Sequence, residues 1–471
     1  MPDISRAIPR VEASSVGHTI SHRLLWMSVS LASVLALIIC YDVGTERLVV
    51  GSEEGGWSYR YLQPFRLSTF GVFLLASLVS VGLLKAEDVV AGRSEWRRIL
   101  LWIVIGLGVQ ALLRSLTPFS FERIFASAGA NSFYEVTRHY FAGTVLADFD
   151  RVRPYFPLHA QSNMPGKLML VYLLRYISRR PDVLAWLVVI LSNLGGVLLY
   201  VFVKDLSGDG RFALASLVLY LFVPAKLYFF PLLNTATPFF VLLCACLLQR
   251  WLMTGRPLYA GALGVSLYVL VFYEPLPLVM GLFFAALVAR ALQRKDIGWR
   301  TLLVQSSLVV FAFLVAYAAM YVLFGFDLMS AFRQISVEAI QFNAAAGRPY
   351  GIWIRENVPE FLFGVGVCQV VLVAVALADG LLRRDSSESR LTRPIVVICL
   401  GLLAVLAATD LIGVNRGEVI RLWIFLACLF QIPAAYVCAR LKSRVALALV
   451  LVTTLLQDAL GTAMIGFILP G

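Results

Sequence analysis

The sequence predicts an all-α, polytopic membrane protein, a transmembrane helical bundle of about thirteen spans. Three observations lead there. The 471 residues are 60% hydrophobic and only 14% charged. Apolar runs close to the length that crosses a hydrocarbon core of about 30 Å recur along the whole chain. None of them alternates with the period of two that an outer-membrane barrel needs, and in lipid a helix satisfies its own backbone hydrogen bonds.

The N-terminal 1–22 is polar, has no cleavage-site pattern, and is expected to be a cytoplasmic tail. Residues 23–471 then form a single transmembrane domain. Its apolar runs lie at 24–41, 66–84, 98–115, 183–203, 211–224, 236–250, 257–273, 276–291, 301–324, 358–379, 394–412, 419–438 and 445–468. Residues 167–178 are apolar but too short to span, and are read as a re-entrant or surface helix. Long polar loops are expected at 116–182 and 325–357. The second of these places Leu328, Phe332, Ile335 and Ile340 at helical spacing, as an amphipathic interfacial helix would. Prolines at 224, 231 and 238 interrupt helix continuity near one end of their spans. Gly195-Gly196 lies within a span, where close helix packing is its expected use.

Charge sets the orientation. With 167–178 excluded as a span, the segments read as cytoplasmic carry a net charge of about +11 and the external ones about +2, and Asp458 within the last span brings the total to +12. The basic loops RALQRKDIGWR and LLRRDSSESRLTR are the strongest inside signals. The N-terminus is therefore expected in the cytoplasm and the C-terminus outside. Topology accounts for most of the positive charge, so nucleic acid is not an expected partner. Seven cysteines lie in or at the ends of apolar runs, without metal-ligand spacing, and are read as packing residues.

Chemistry is expected in the polar segment Thr117–Lys167. It holds Glu122, Glu135, Asp148 and Asp150, together with His139 and His159. Nine external Lys/Arg fall between Arg114 and Arg180, which points to anion handling near the membrane surface. A second constellation follows Asp410: Arg416, then Gly417-Glu418-Val-Ile-Arg421-Leu-Trp423. Glu418 and Arg421 are three apart and share a helix face. At membrane depth such groups are paired or functional. They are read either as a structural ion pair or as an arginine offered to a lipid phosphate, with Glu418 orienting it.

Three motifs occur in order: Ser132-Phe-Tyr134-Glu135-Val-Thr-Arg138, then His159-Ala-Gln-Ser-Asn-Met-Pro165-Gly166-Lys167, then Gly417-Glu418-x-x-Arg421-x-Trp423. In that order, over 98–440, they resemble the GT-C superfamily of integral-membrane glycosyltransferases, mannosyltransferase-like enzymes that take sugars from polyprenyl-phosphate carriers. The resemblance implies an inverting transfer on the external face, to a lipid, glycan or protein acceptor of the cell envelope. A carboxylate of the first long loop would deprotonate the acceptor hydroxyl: Glu135 first, then Glu122, Asp148 and Asp150. Arg421, Lys167 and Arg416 would hold the donor phosphate, since guanidinium matches phosphate oxygens two at a time. Glu418, His159, Tyr134 and Asn131 would line the substrate. The family's usual loop aspartate corresponds to Asn131, which is no base. No cofactor is required, although Asp148 and Asp150 could hold a divalent cation. The expected location is a bacterial cytoplasmic (inner) membrane. A transporter or flippase of a lipid-linked or anionic substrate, and a GT-C-fold protein without catalysis, are the alternatives.

Overall fold

The computed structural model describes residues 20–92, 94–383 and 389–470. Most of the expected cytoplasmic tail, and 384–388 of one basic loop, lie outside the described residues.

The chain is helical almost throughout. Ten of its described helices are long and apolar enough to cross a membrane: His22–Gly44, Leu67–Val90, Glu95–Arg114, Pro181–Ser207, Gly210–Phe229, Leu233–Thr254, Leu276–Gln293, Trp299–Phe324, Pro394–Ile412 and Arg444–Met464. Tyr350–Val365 and Val367–Leu382 reach that standard only together, and they meet at a bend of 98°. Pro257–Tyr273 and Ile424–Arg440 are apolar but shorter. Among the described strands are Val50–Ser52 and Trp57–Tyr59, paired antiparallel as a small hairpin in the loop after the first helix.

Two expected spans are therefore not continuous. The run at 358–379 breaks because Gly366 has φ +108°, a conformation that side-chain-bearing residues avoid. The run at 419–438 is divided into Val419–Leu422, Ile424–Leu429 and Gln431–Arg440. Residues 167–178 contribute the ten-residue helix Gly166–Arg175, too short to span. The amphipathic helix runs over Leu328–Ala345; Leu328, Ala331 and Ile335 are buried, but Ile340 faces outward.

Packing inside the bundle follows small residues and paired polar groups. The Tyr220 ring lies against Gly196, where a Cβ would come within 2.9 Å of it, and its hydroxyl donates to the Ser192 carbonyl at 2.7 Å. Asn193 and Gln110 exchange amide hydrogen bonds of 2.7 and 3.1 Å, and the buried Lys226 ammonium donates to the same Asn193 oxygen. These three buried side chains thus satisfy one another. All seven cysteines are buried and unbridged, as packing residues would be.

The loops at 116–182 and 325–349 are fastened together at one end of the bundle. Arg153, nearly fully buried, sends both terminal nitrogens to Glu338 at 2.5 and 2.6 Å. Ser330 donates to Asp150 at 2.8 Å. The helix Phe121–Ala126 packs on Pro181–Ser207, and Phe133–His139 packs on Gly166–Arg175. The hairpin is tied to the same end, since the Trp353 indole donates to the Gly55 carbonyl at 2.9 Å.

Candidate functional site

The site is built around Glu418. Gly417 and Glu418 both have left-handed backbone conformations, φ +77° and +58°. This turn opens the short helix Val419–Leu422 and points the Glu418 carboxylate back over it. One oxygen accepts from Arg421 at 2.6 Å and the other from Arg348 at 3.0 Å. The second terminal nitrogen of Arg421 lies 3.4 Å from Nε2 of His159. Segments more than 250 residues apart thus meet at one carboxylate. The Glu418 and Arg421 side chains keep 17% and 15% of their exposure, so a ligand can reach them.

The turn is held from three sides. Asn357 donates to the Asn415 carbonyl and to Asp410, both at 3.0 Å, and accepts the Gly417 amide at 3.0 Å. The Trp353 ring fills the space where a Gly417 side chain would stand. Arg348 and Arg416 each donate to the other's backbone carbonyl, at 2.8 and 2.9 Å. Below the turn, Glu360 is buried; one oxygen accepts the Ile420 amide at 3.3 Å and the other has no partner.

Lys167 lies deeper. Its ammonium is 1% exposed, 3.3 Å from Glu274 and 2.8 Å from the Asn163 oxygen. Glu274 also accepts from Thr237 and from Asn234. Asn163 in turn donates to the His159 carbonyl at 2.8 Å.

Comparison with known proteins found no matching family model and no matching curated sequence.

The remaining residues singled out from sequence have other partners. Glu135 pairs with Arg138 at 3.2 Å and with His139 at 2.7 Å, on the partly exposed side of Phe133–His139. Asp148 pairs with Arg151 at 3.6 Å, whereas Asp150 turns to Ser330, so the two carboxylates engage different groups. Among the described residues no three His, Cys, Asp or Glu side chains converge as metal ligands. Tyr134 donates to the Arg179 carbonyl, away from Glu418. Asn131 is 1% exposed and its amide donates to the Phe125 carbonyl; it braces the loop from inside. Arg416 is engaged by the carbonyls of Gly413 and Arg348 and lies over the Tyr350 ring, so it fastens the turn. Lys167, expected to face a phosphate, has its charge matched internally by Glu274.

Arg348, Asn357, Glu274 and Glu360 are the residues that sequence reasoning passed over. Glu274 had a local signal, an acid between Tyr273 and Pro275 at the end of an apolar run. Glu360 had one too, as an acid within such a run. Arg348 and Asn357 had none, because their partners are some 60–70 residues away.

The cluster sets a neutral histidine beside two arginines and one carboxylate. Burial, then the charges of Arg421 and Lys167, push His159 down from 6.5 to about 4. Burial alone would raise Glu418, but Arg421 and Arg348 more than offset it, and its carboxyl is held below the ordinary range. Burial lowers Lys167, with Glu274 acting in the opposite direction.

A pH dependence follows. The unfolded chain takes up a proton at His159 below about pH 6.5, while the folded protein resists it until about 4. His159 should therefore contribute a loss of stability as pH falls from 6.5 towards 4. In His159→Asn the melting temperature should fall less between pH 7 and pH 5 than in the unmodified protein. Equal falls would remove this account.

Proposed function

We propose that the protein is a membrane glycosyltransferase that takes a sugar from a polyprenyl-phosphate donor, with GT-C-like architecture. The observation that carries this reading is the partly exposed Arg421, oriented by Glu418, with Arg348 behind it and the neutral His159 beside it. A leaving phosphate gains negative charge as the glycosidic C–O bond breaks, and a preset guanidinium stabilises that charge more in the transition state than in the ground state. The helix bearing Glu135 begins at Ser132, whose hydroxyl oxygen accepts the His159 amide at 3.3 Å. This bond ties the helix that bears Glu135 to the segment that carries His159.

In this reading the acceptor hydroxyl attacks the anomeric carbon, its proton passes to Glu135, and the polyprenyl phosphate departs towards Arg421. Ten described helices, or eleven with the bent pair at 350–382 taken as one span, are long and apolar enough to cross a membrane, and thirteen spans would need Pro257–Tyr273 and Ile424–Arg440 to cross as well. The charge bias supports an external site, a cytoplasmic N-terminus and an external C-terminus. A bacterial inner membrane suits a donor that resides in lipid.

The test is transfer by the purified protein, supplied with polyprenyl-phosphate mannose and with other polyprenyl-phosphate sugars, to lipid and glycan acceptors. Glu135→Gln should lower turnover by about 10²–10⁴-fold with donor binding retained. Turnover untouched by this change would remove Glu135 as the base. Donor binding with no turnover for any sugar would favour the non-catalytic alternative, in keeping with Asn131 standing where the family places an aspartate.

A further inference from the structure

Arg114 is the last residue of the span Glu95–Arg114, and Trp186 lies in the first turns of the span Pro181–Ser207. Span ends with an indole mark the depth of lipid headgroups. Between these two residues is a cavity of about 440 Å³, whose walls include Arg114, Ser115, Thr117, Ser120, Phe121 and Trp186. It is open to the surroundings and lined by both aromatic rings and hydroxyl-bearing residues.

The Arg114 side chain is 6% exposed. Nη1 is occupied, donating to the carbonyls of Leu227 and Tyr228 at 3.4 and 3.3 Å. Nε and Nη2 have no partner. These two nitrogens form one edge of the guanidinium, the edge that presents two parallel N–H groups to a carboxylate or phosphate. Among the described residues no acid pairs with Arg114. The guanidinium lies 5.9 Å from the centre of the Phe121 ring, which itself lines the cavity and packs at 4.9 Å on Trp186. Leaving two buried N–H groups of a cation unbonded is costly, and an oxyanion entering the cavity would satisfy both once the guanidinium turns this edge outward.

We propose that this cavity is a phosphate-binding site that takes the headgroup of a membrane phospholipid, with its glycerol backbone and acyl chains against Phe121 and Trp186. The Nε–Nη2 edge of Arg114 clamps two phosphate oxygens, and the hydroxyls of Thr117 and Ser120 complete the polar wall. The site is separate from the Glu418 cluster and does not depend on the glycosyltransferase reading.

The experiment uses the full chain, delipidated in an uncharged maltoside detergent. Its melting temperature is measured against short-chain phosphatidylglycerol, short-chain diacylglycerol without phosphate, and inorganic phosphate. Phosphatidylglycerol should raise the melting temperature and diacylglycerol should not. Arg114→Gln should weaken the phosphatidylglycerol effect by at least about tenfold in concentration. Ser115→Trp, at an exposed wall position, fills the cavity with the guanidinium left in place; it should give the same loss even where Arg114→Gln fails to fold. An equal shift with inorganic phosphate alone would make the ligand a free oxyanion and overturn the headgroup assignment. Shifts equal in the unmodified protein and in both variants, or no shift with any phosphate compound, would overturn the site itself.

Discussion

On the proposed glycosyltransferase reading, Arg421→Ala is expected to lower sugar transfer by about 10²–10³-fold, the scale typical for removal of one preset donor from an oxyanion site. The reason lies in how the side chain is held. One terminal nitrogen is fixed by Glu418 at 2.6 Å and the other lies against His159 at 3.4 Å, while 15% of the side chain stays exposed. The charge is therefore oriented before substrate arrives and needs little reorganisation when the phosphate leaves. Arg421→Lys keeps the charge but loses the planar fork, and should recover only a small part of the activity. Glu418 still has Arg348, so the turn should stay folded in Arg421→Ala. Steady-state kinetics with a polyprenyl-phosphate sugar, together with an unchanged melting temperature, check this. Unchanged kcat/KM in Arg421→Ala would make the pair structural and dismiss the phosphate role.

Gly166→Ala is expected to be the most damaging single methyl group in the loop region. A Cβ there would lie 2.6 Å from the Tyr273 Cα and 2.7 Å from the Phe272 carbonyl carbon. Both are backbone atoms of the helix Pro257–Tyr273, so no side chain can rotate away. Either the helix Gly166–Arg175 or its neighbour must move, at a cost of about 1–3 kcal/mol or more. The same movement pulls Lys167, the next residue, from Glu274 at 3.3 Å. Losing the partner of a buried charge typically costs a further ~3–5 kcal/mol. A melting temperature lowered by several degrees checks the first term. If Gly166→Ala in a Lys167→Met/Glu274→Leu background costs as much as in the unmodified protein, the coupling to the ion pair is absent.

Much of this was legible in the sequence because it is local. Apolar run length identified the helices, and the three-residue spacing of Glu418 and Arg421 anticipated their pairing. His159 and Lys167 were recognisable around Pro165-Gly166. The missing parts are long-range. Arg348 and Asn357 act on the 413–418 turn from a separate loop and helix, and nothing near them in sequence announces it. Hydropathy also could not foresee the break at Gly366, because Val365 and Val367 continue the apolar run on both sides. Asn131 was read by analogy as part of a substrate wall, whereas its burial makes it a brace. Lys167 reads from its neighbours as a donor-phosphate ligand, and its counter-charge, Glu274, stands 107 residues later in the chain.

The bend at Gly366 leaves one stretch of chain serving two separate neighbourhoods. Its first half carries Trp353, Asn357 and Glu360, all against the 413–420 segment. Its second half carries Asp379, which holds Tyr436 and Arg440 at the far end of Val367–Leu382. A straight helix would transmit a tilt at one end to the other as a rigid rod. With 98° between the halves, Val367–Leu382 is no such rod between Asp379 and Glu418, and the mechanical link across the bundle falls to the unbroken span Pro394–Ile412, whose Asp410 accepts from Asn357.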